Sequence, residues 1–194
     1  MLIDFLEHIL SFIAYLLLLI IFYLRFIQIY FLFLGLGTNL GARQDHLESA
    51  VRALRRLPRF ILLARASVYE SRALGDPGGP DFLNTAVAGF WNGTPAELLA
   101  ACLRIEDRHG RTRPYRDAPR TLDIDILFWE GCSVSTPRLT VPHPRLTERA
   151  FALLPLLELA PDLLDPRTGR PLSSHLAPVL LRQGVALRGE ATVA

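Results

Sequence analysis

Lysine is missing from this sequence altogether, so its 21 Lys+Arg residues are all arginines. That absence excludes a Walker-type phosphate loop, a protein-kinase phosphate lysine and a Schiff-base lysine, each of which needs an ammonium at a fixed place. Any phosphate bound here must meet arginine, backbone N–H groups or metal. Cysteine is scarce as well. Cys102 and Cys132 stand alone, without a Cys-x-x-Cys pair, and read as reduced thiols, not as a disulfide framework or a zinc site. Excess charge is small, at +2 over 194 residues, and gives no global electrostatic case for nucleic acid. No Ser-His-Asp set, His-Glu-x-x-His or Gly-x-Ser-x-Gly stands out, so hydrolase mechanisms lack their nucleophile or metal.

Proline and glycine are also absent from residues 1–30, which hold seven of the eleven isoleucines and only one arginine, Arg25. Residues 9–24 are apolar except for Ser11, Tyr15 and Tyr23, against the about 20 apolar residues a spanning helix requires. A secretory signal fits poorly, since the leader carries Asp4 and Glu7 and no small-residue cleavage site follows. Three readings stay open: a membrane anchor, an apolar helix packed on the domain or a partner, and an upstream stretch outside the natural protein. Arg25 and the later arginines lie on one side of the apolar run, which for a membrane span places the rest in the cytoplasm. The expectation is a cytoplasmic, monomeric protein in which residues 31–194 form one domain. Membrane association through residues 9–24 is the open variant, with no part in the chemistry.

Within residues 31–194 the patterns alternate. Residues 30–36 read as an apolar strand ending in Gly35-Leu-Gly-Thr-Asn-Leu-Gly41. Residues 44–57 have helical spacing through Leu47, Val51 and Leu54 and stop at Pro58. Residues 60–69 and 83–91 read as strands separated by a polar loop. Thr94, with Glu97 three residues on, opens a helix through a capping box, its apolar face being Leu98, Leu99, Cys102, Leu103 and Ile105. A strand follows at 122–129, and the tail from Thr147 to Leu181 reads as helical with proline breaks. The order β-α-β-β-α-β points to an α+β fold, a ferredoxin-like antiparallel sheet with the helices packed on one face.

The sharpest local feature is Arg120-Thr-Leu-Asp123-Ile-Asp125-Ile126. Residues i and i+2 share a face of a strand, so the two carboxylates point the same way, repel each other and call for a cation. Mg²⁺ suits them, because it shares one or two carboxylates with substrate phosphates. The competing reading is a solvated strand end with each aspartate paired to an arginine. Arg104, Arg108, Arg111, Arg113, Arg116 and Arg120 precede the pair, the first two on the helix and the rest flanking Gly110, Pro114 and Pro119. A cationic loop leading into two carboxylates is what a triphosphate with metal requires. A nucleic-acid patch is the alternative, with only Tyr115 nearby to stack on a base. The glycine-rich turn at 35–41 departs from a dinucleotide fingerprint, since its third position is Leu40 and no acidic residue follows at the required distance. His143 fits a general base, a phosphate donor or a satisfied loop histidine. Phe82 and Asn84 suit a flat heterocycle, the ring stacking and the amide reading the edge.

Taken in order, several segments resemble the 6-hydroxymethyl-7,8-dihydropterin pyrophosphokinase family of folate biosynthesis. They are Gly37-Thr-Asn-Leu-Gly41, Leu74-Gly75, Pro80-Asp-Phe-Leu-Asn84, Arg104-Ile-Glu106 with Gly110-Arg-Thr-Arg113, Pro119 to Ile126, and Arg138-Leu-Thr-Val-Pro-His-Pro144. The resemblance implies a ferredoxin-like α+β fold, ATP as co-substrate, two Mg²⁺ ions, a pterin alcohol as acceptor and AMP as product. It implies metal binding by Asp123 and Asp125, with Arg111 and Arg120 acting alongside them in catalysis. Thr38, Leu74, Phe82, Asn84 and Phe151 would line the pterin pocket. Glu106, Arg111, Arg113, Arg120, Ile126, Arg138, Thr140, His143 and Arg149 would face ATP. Some members close the pterin pocket with a tryptophan just before Gly-Pro-Arg; here Asp117 stands there. Residues 1–30 have no counterpart in the family's usual start.

Overall fold

The strand that begins the pattern is apolar on both faces because it lies inside the sheet. In the computed structural model, which describes residues 12–13, 15–17, 30–74, 78–110 and 118–189, it is β1 (Leu32–Thr38). The other strands are β2 (Phe60–Arg65), β3 (Val68–Ser71), β4 (Phe82–Trp91), β5 (Asp123–Trp129), β6 (Val134–Ser135), β7 (Thr140–Val141) and β8 (Val185–Gly189). The helices are α1 (Arg43–Arg55), α2 (Pro95–Arg108), α3 (Ala150–Leu159) and α4 (Leu176–Gln183). The main sheet runs β5-β1-β4-β3-β8, with β2 also on β4, and every pairing is antiparallel. β6 and β7 form a separate two-stranded ribbon.

The two helices of the split unit share one face, as expected. α1 buries Leu47, Ala50, Val51 and Leu54, the i, i+3, i+4, i+7 stripe of an amphipathic helix. α2 buries Leu98, Ala101, Cys102 and Ile105, together with Glu106. Leu103, expected on that apolar face, is instead exposed, since it falls a hundred degrees round the helix from Cys102. The rings of His46 and His109 meet edge to face where α1 and α2 touch, with ring centroids 5.8 Å apart. The tail's helices take the other face, correcting the one-sided arrangement. Leu153, Leu156 and Leu157 of α3 and Val179 of α4 pack with Phe33, Ala88, Leu127 and Phe128.

Two further features depart from the sequence reading. The strand expected over 60–69 is broken at Ala66–Ser67, because Ser67 turns its N–H and hydroxyl to the Glu158 carboxylate of α3, at 3.0 and 2.8 Å. Tyr69 donates to the same carboxylate at 2.7 Å, and burial, reinforced by Glu158, pushes its hydroxyl up to about 12. After α4, Gly184 at φ +55° ends the helix, and β8 adds an edge strand that was not expected. Cys102 and Cys132 are free thiols, and burial with the charges of Glu106 and Asp125 pushes Cys102 up to about 12.

By contacts the chain divides into Met1–Tyr30 and Phe31–Ala194. In the first unit Phe12, Ile13, Tyr15, Leu16 and Leu17 are helical and exposed; the rest of the apolar run expected over 9–24 lies outside the described residues. Among the described residues no helix is long and apolar enough to cross a membrane.

The capping box is formed as the sequence implies. The Glu97 N–H donates to Thr94 Oγ1 at 3.2 Å, and the Thr94 N–H to Glu97 Oε2 at 2.8 Å. Thr94→Ala is therefore expected to cost about 1 kcal/mol of stability, measured as a fall in the urea midpoint with its slope unchanged.

Candidate active site

Antiparallel pairing brings the end of β1 and the starts of β4 and β5 to one edge of the sheet. In that register Gly37 faces Asp123 on one side and Asn84 on the other. Directly paired residues point to the same face, so a carboxylate, a bare glycine and a carboxamide form one row. Asp125 stands in the next row opposite Gly35, and Phe82 two residues before Asn84. A Cβ on Gly37 would lie 3.3 Å from Asn84 Oδ1 and 3.9 Å from the Phe82 ring. Glycine thus keeps the floor open between the carboxylates and the ring-and-amide pair.

Each aspartate holds an arginine. Arg120 Nη1 donates to Asp123 Oδ2 at 2.8 Å, and its guanidinium lies 5.5 Å over the Phe82 ring. Arg149 Nη1 is 3.7 Å from Asp125 Oδ2, and its guanidinium lies 5.6 Å over Phe151. Burial lowers the Arg149 pKa, and Asp125 opposes that shift. Arg120 Nε and Thr121 Oγ1 are buried without a hydrogen-bond partner among the described residues, as polar atoms are where a polar ligand completes a site. No group of three His, Cys, Asp or Glu able to hold a metal occurs among the described residues. The carboxylate pair alone fits Mg²⁺, which takes its remaining oxygens from phosphate and water; it does not fit a closed protein cage.

On the outer side of β5, Glu106 is buried, 2% exposed, and accepts the Ile124 N–H at 2.7 Å. The Ile126 side chain is in the core, so only its backbone, two residues on from Ile124 and in phase with it, faces that outer edge. His143 is fastened to β5 by its N–H on the Leu127 oxygen at 2.8 Å. Its Nδ1 accepts the Arg145 N–H at 3.1 Å, which leaves the ring hydrogen on Nε2. Burial, then the Arg149 charge, lowers its pKa to about 4. Thr140 lies on β7, and Arg138 is exposed on the preceding turn, with no hydrogen bond or ion pair among the described residues.

The structure therefore brings together Arg120, Asp123, Asp125, Arg149, Phe82, Asn84 and Phe151, with Glu106 and His143 beside them. Asn84 is 4% exposed and donates to Ser71 Oγ at 2.9 Å. Leu74 is exposed. The Thr38 side chain does not join the floor: alternation turns it to the face opposite Gly37, where it is fully buried with Oγ1 unpartnered among the described residues. Arg104 and Arg108 are exposed helix surface. Arg111, Arg113, Tyr115, Arg116 and Asp117 lie outside the described residues. One residue the sequence reading left without a role is Asn39. Its Oδ1 accepts the Arg120 N–H at 2.7 Å, its Nδ2 donates to the Pro80 oxygen at 3.2 Å, and its own N–H donates to the Arg120 oxygen at 3.0 Å. A carboxamide mimics a peptide unit, and here it continues the ladder past the strand ends on both sides. The only hint in the sequence was an asparagine directly after a strand.

The His143 pKa sets a pH expectation. With the folded value at about 4 against 6.5 for the free group, the folded state favours the neutral ring. Its contribution to stability is complete above 6.5 and is lost as pH falls toward 4. NMR of the imidazole is expected to show a neutral ring, protonated on Nε2, down to about pH 5; a midpoint near the ordinary value would overturn the assignment.

Comparison with known proteins places this geometry. The family model described as 7,8-dihydro-6-hydroxymethylpterin-pyrophosphokinase (HPPK) matches residues 33–161. A 2-amino-4-hydroxy-6-hydroxymethyldihydropteridine pyrophosphokinase of Methylorubrum extorquens is 46% identical over 132 residues, covering 68% of this chain and 84% of the relative. One of the same name from Pseudomonas aeruginosa is 42% identical over 145 residues, covering 75% and 89%. Among solved structures, an HPPK-DHPS in complex with substrates superposes with a TM-score of 0.62 at 12% identity, over 79% of this chain and 44% of that one. Plasmodium falciparum HPPK-DHPS gives 0.56 at 14% identity, again over 79% and 44%. The chain spans less than half the length of those solved chains, and at such identity they speak for the fold alone. The matched stretch opens on β1 and closes just beyond α3, taking in every strand end that builds the row, and the chain belongs to the 7,8-dihydro-6-hydroxymethylpterin-pyrophosphokinase family.

Proposed function

We propose that this chain transfers pyrophosphate from ATP to 6-hydroxymethyl-7,8-dihydropterin and releases AMP, a step of folate biosynthesis. The observation that carries the reading is the single row Asp123–Gly37–Asn84 with Phe82 two residues before Asn84 on β4. In this reading a site for a flat, hydrogen-bonding heterocycle lies one glycine away from a site for metal and phosphate. Phe82 and Phe151 supply faces for the ring, Asn84 an amide for its edge, and the glycine floor leaves space for the hydroxymethyl arm. Arg120 and Arg149, now on the aspartates, are placed to move onto phosphate oxygens as bidentate donors. Arg138, Thr140, His143, Glu106 and the outer backbone of Ile126 line the nucleotide side in this reading, and the family resemblance adds Arg111 and Arg113 to the ATP contacts.

The hydroxymethyl oxygen attacks the β-phosphorus, the bond from that phosphorus to the α,β-bridging oxygen breaks, and AMP departs. Asp123 and Asp125 would hold Mg²⁺, two ions in this reading, which supplies charge neutralisation on the phosphates. The residues contribute mainly position and electrostatic preorganisation, and no protein general base is assigned. A nucleic-acid-binding role gains no support, since one carboxylate stands in the row and a second in the next. The reading extends to a monomer whose activity resides in residues 31–194, with 1–30 contributing nothing to turnover.

Two experiments test it. Incubation with ATP, Mg²⁺ and the pterin alcohol is expected to give AMP one for one with pterin diphosphate; ADP as product means attack at the γ-phosphorus and sinks the reading. Asp123→Ala and Asp125→Ala are each expected to lower turnover by about 10³-fold with the thermal midpoint little changed, and near-normal turnover in either would remove the metal role. Separately, a shortened chain beginning at Ile29 is expected to fold and keep full activity; loss of folding would give residues 1–28 a structural part.

A further inference from the structure

Arginine is a poor choice for the first residue of a helix, whose N-terminus already carries the positive pole. Arg43 nonetheless opens α1, and its partners supply a reason. Its Nη1 donates to the backbone oxygen of Asp81 at 2.6 Å and to Glu70 Oε1 at 3.1 Å. Glu70 lies on β3 beside Leu83 of β4, its side chain only 16% exposed. Its other oxygen accepts the Arg188 Nε–H from β8. Arg188 first, and then Arg43, hold the Glu70 carboxyl below the usual carboxylate range against the opposing effect of burial.

One carboxylate thus gathers α1, β3 and β8, and through Arg43 reaches the backbone immediately before Phe82. The bond is to the Asp81 carbonyl and not its side chain, so it orients the peptide plane from which Phe82 departs. Asn39 holds the neighbouring carbonyl of Pro80 from the other side. The segment that leads into the ring-and-amide pair is therefore fixed at two successive oxygens by groups that do not touch the floor themselves.

We propose that Arg43, oriented by Glu70 and Arg188, is a positioning residue for the heterocycle end of the site, setting the Asp81–Phe82 peptide so that the Phe82 ring and the Asn84 amide meet the pterin. The role rests on the pyrophosphoryl-transfer reading above. It accounts for a cation at a helix start, and for a C-terminal strand that lies outside the matched family stretch yet is tied to the start of β4.

The test uses the full chain with Arg43→Ala, Arg43→Lys, Glu70→Gln and the double variant Arg43→Ala/Glu70→Gln. Steady-state kinetics are read for both substrates, and calorimetry for the pterin alcohol alone. Arg43→Ala is expected to raise the pterin KM and Kd about 10-fold, with kcat and the ATP KM within about twofold of wild type. Arg43→Lys is expected to recover most of the loss, because an ammonium also donates to both oxygens. Glu70→Gln is expected to raise the pterin KM by a smaller factor and to add nothing in the Arg43→Ala background. An unchanged pterin KM, an equal rise in the ATP KM, or full additivity of the two substitutions overturns the proposal. A wild type that binds the pterin in an Arg43-dependent way but forms no AMP sinks the transfer reading and leaves the positioning role standing. One that binds no pterin sinks both.

Discussion

Two carboxylates on one face of a strand are tolerable only when something neutralises them, and the surroundings of Asp123 and Asp125 answer that demand. β5 is the last strand of the sheet, so the pair has β1 on one flank and, on the other, no strand but the Glu106 carboxylate and the His143 backbone. β1 contributes glycine at both facing positions, Gly35 and Gly37, leaving the carboxylates room above the sheet. Larger residues there would meet Leu127 at 3.0 Å or Asn84 at 3.3 Å. The same antiparallel register then delivers Asn84 and Phe82 from the far side of β1. The ring-and-amide pair and the carboxylates are thus held at a separation set by strand spacing, about 5 Å per strand, and not by loops.

Much of this was legible because the signals were local. Alternation along β5 put both aspartates on one face, the 3.6-residue spacing of Leu47, Val51 and Leu54 gave α1, and Thr94 with Glu97 marked the start of α2. Three residues take placements that their side chains alone did not announce, for geometric reasons of the same kind. Thr38 belongs to the right motif, but one step along a strand reverses the side chain, so it faces the helices. Ile126 is a core residue whose approach to any nucleotide is through its backbone. Leu103 was placed on the apolar face of α2 by its hydrophobicity alone, and the helical angle puts it in solvent.

What was not legible depends on partners far away in sequence. The break at Ser67 is caused by Glu158, 91 residues on. Arg120 is clipped by Asn39 across 81 residues, and Glu70 is joined to Arg188 across 118. β8 follows a helix-ending glycine and pairs with a strand laid down more than a hundred residues earlier, so no local period announces it. Each of these residues is polar, and in a sequence each looks like solvated surface until the fold supplies its partner.

The arginine pairs on the aspartates fit both competing readings of that motif, and their exposure explains how. The Arg120–Asp123 side chains are 21% and 20% exposed, those of Arg149 and Asp125 19% and 38%. Pairs so open to solvent contribute on the order of 1 kcal/mol or less, enough to offset repulsion between neighbouring carboxylates but little to give up. A chain with no lysine must use guanidinium for this, and guanidinium offers a planar fork that suits carboxylate and phosphate alike. Arg120 also lies over the Phe82 ring, so any movement of that guanidinium toward phosphate alters the surface the heterocycle meets. Asn39 fixes the Arg120 backbone, so any such movement is confined to the side chain and leaves the row beneath it undisturbed.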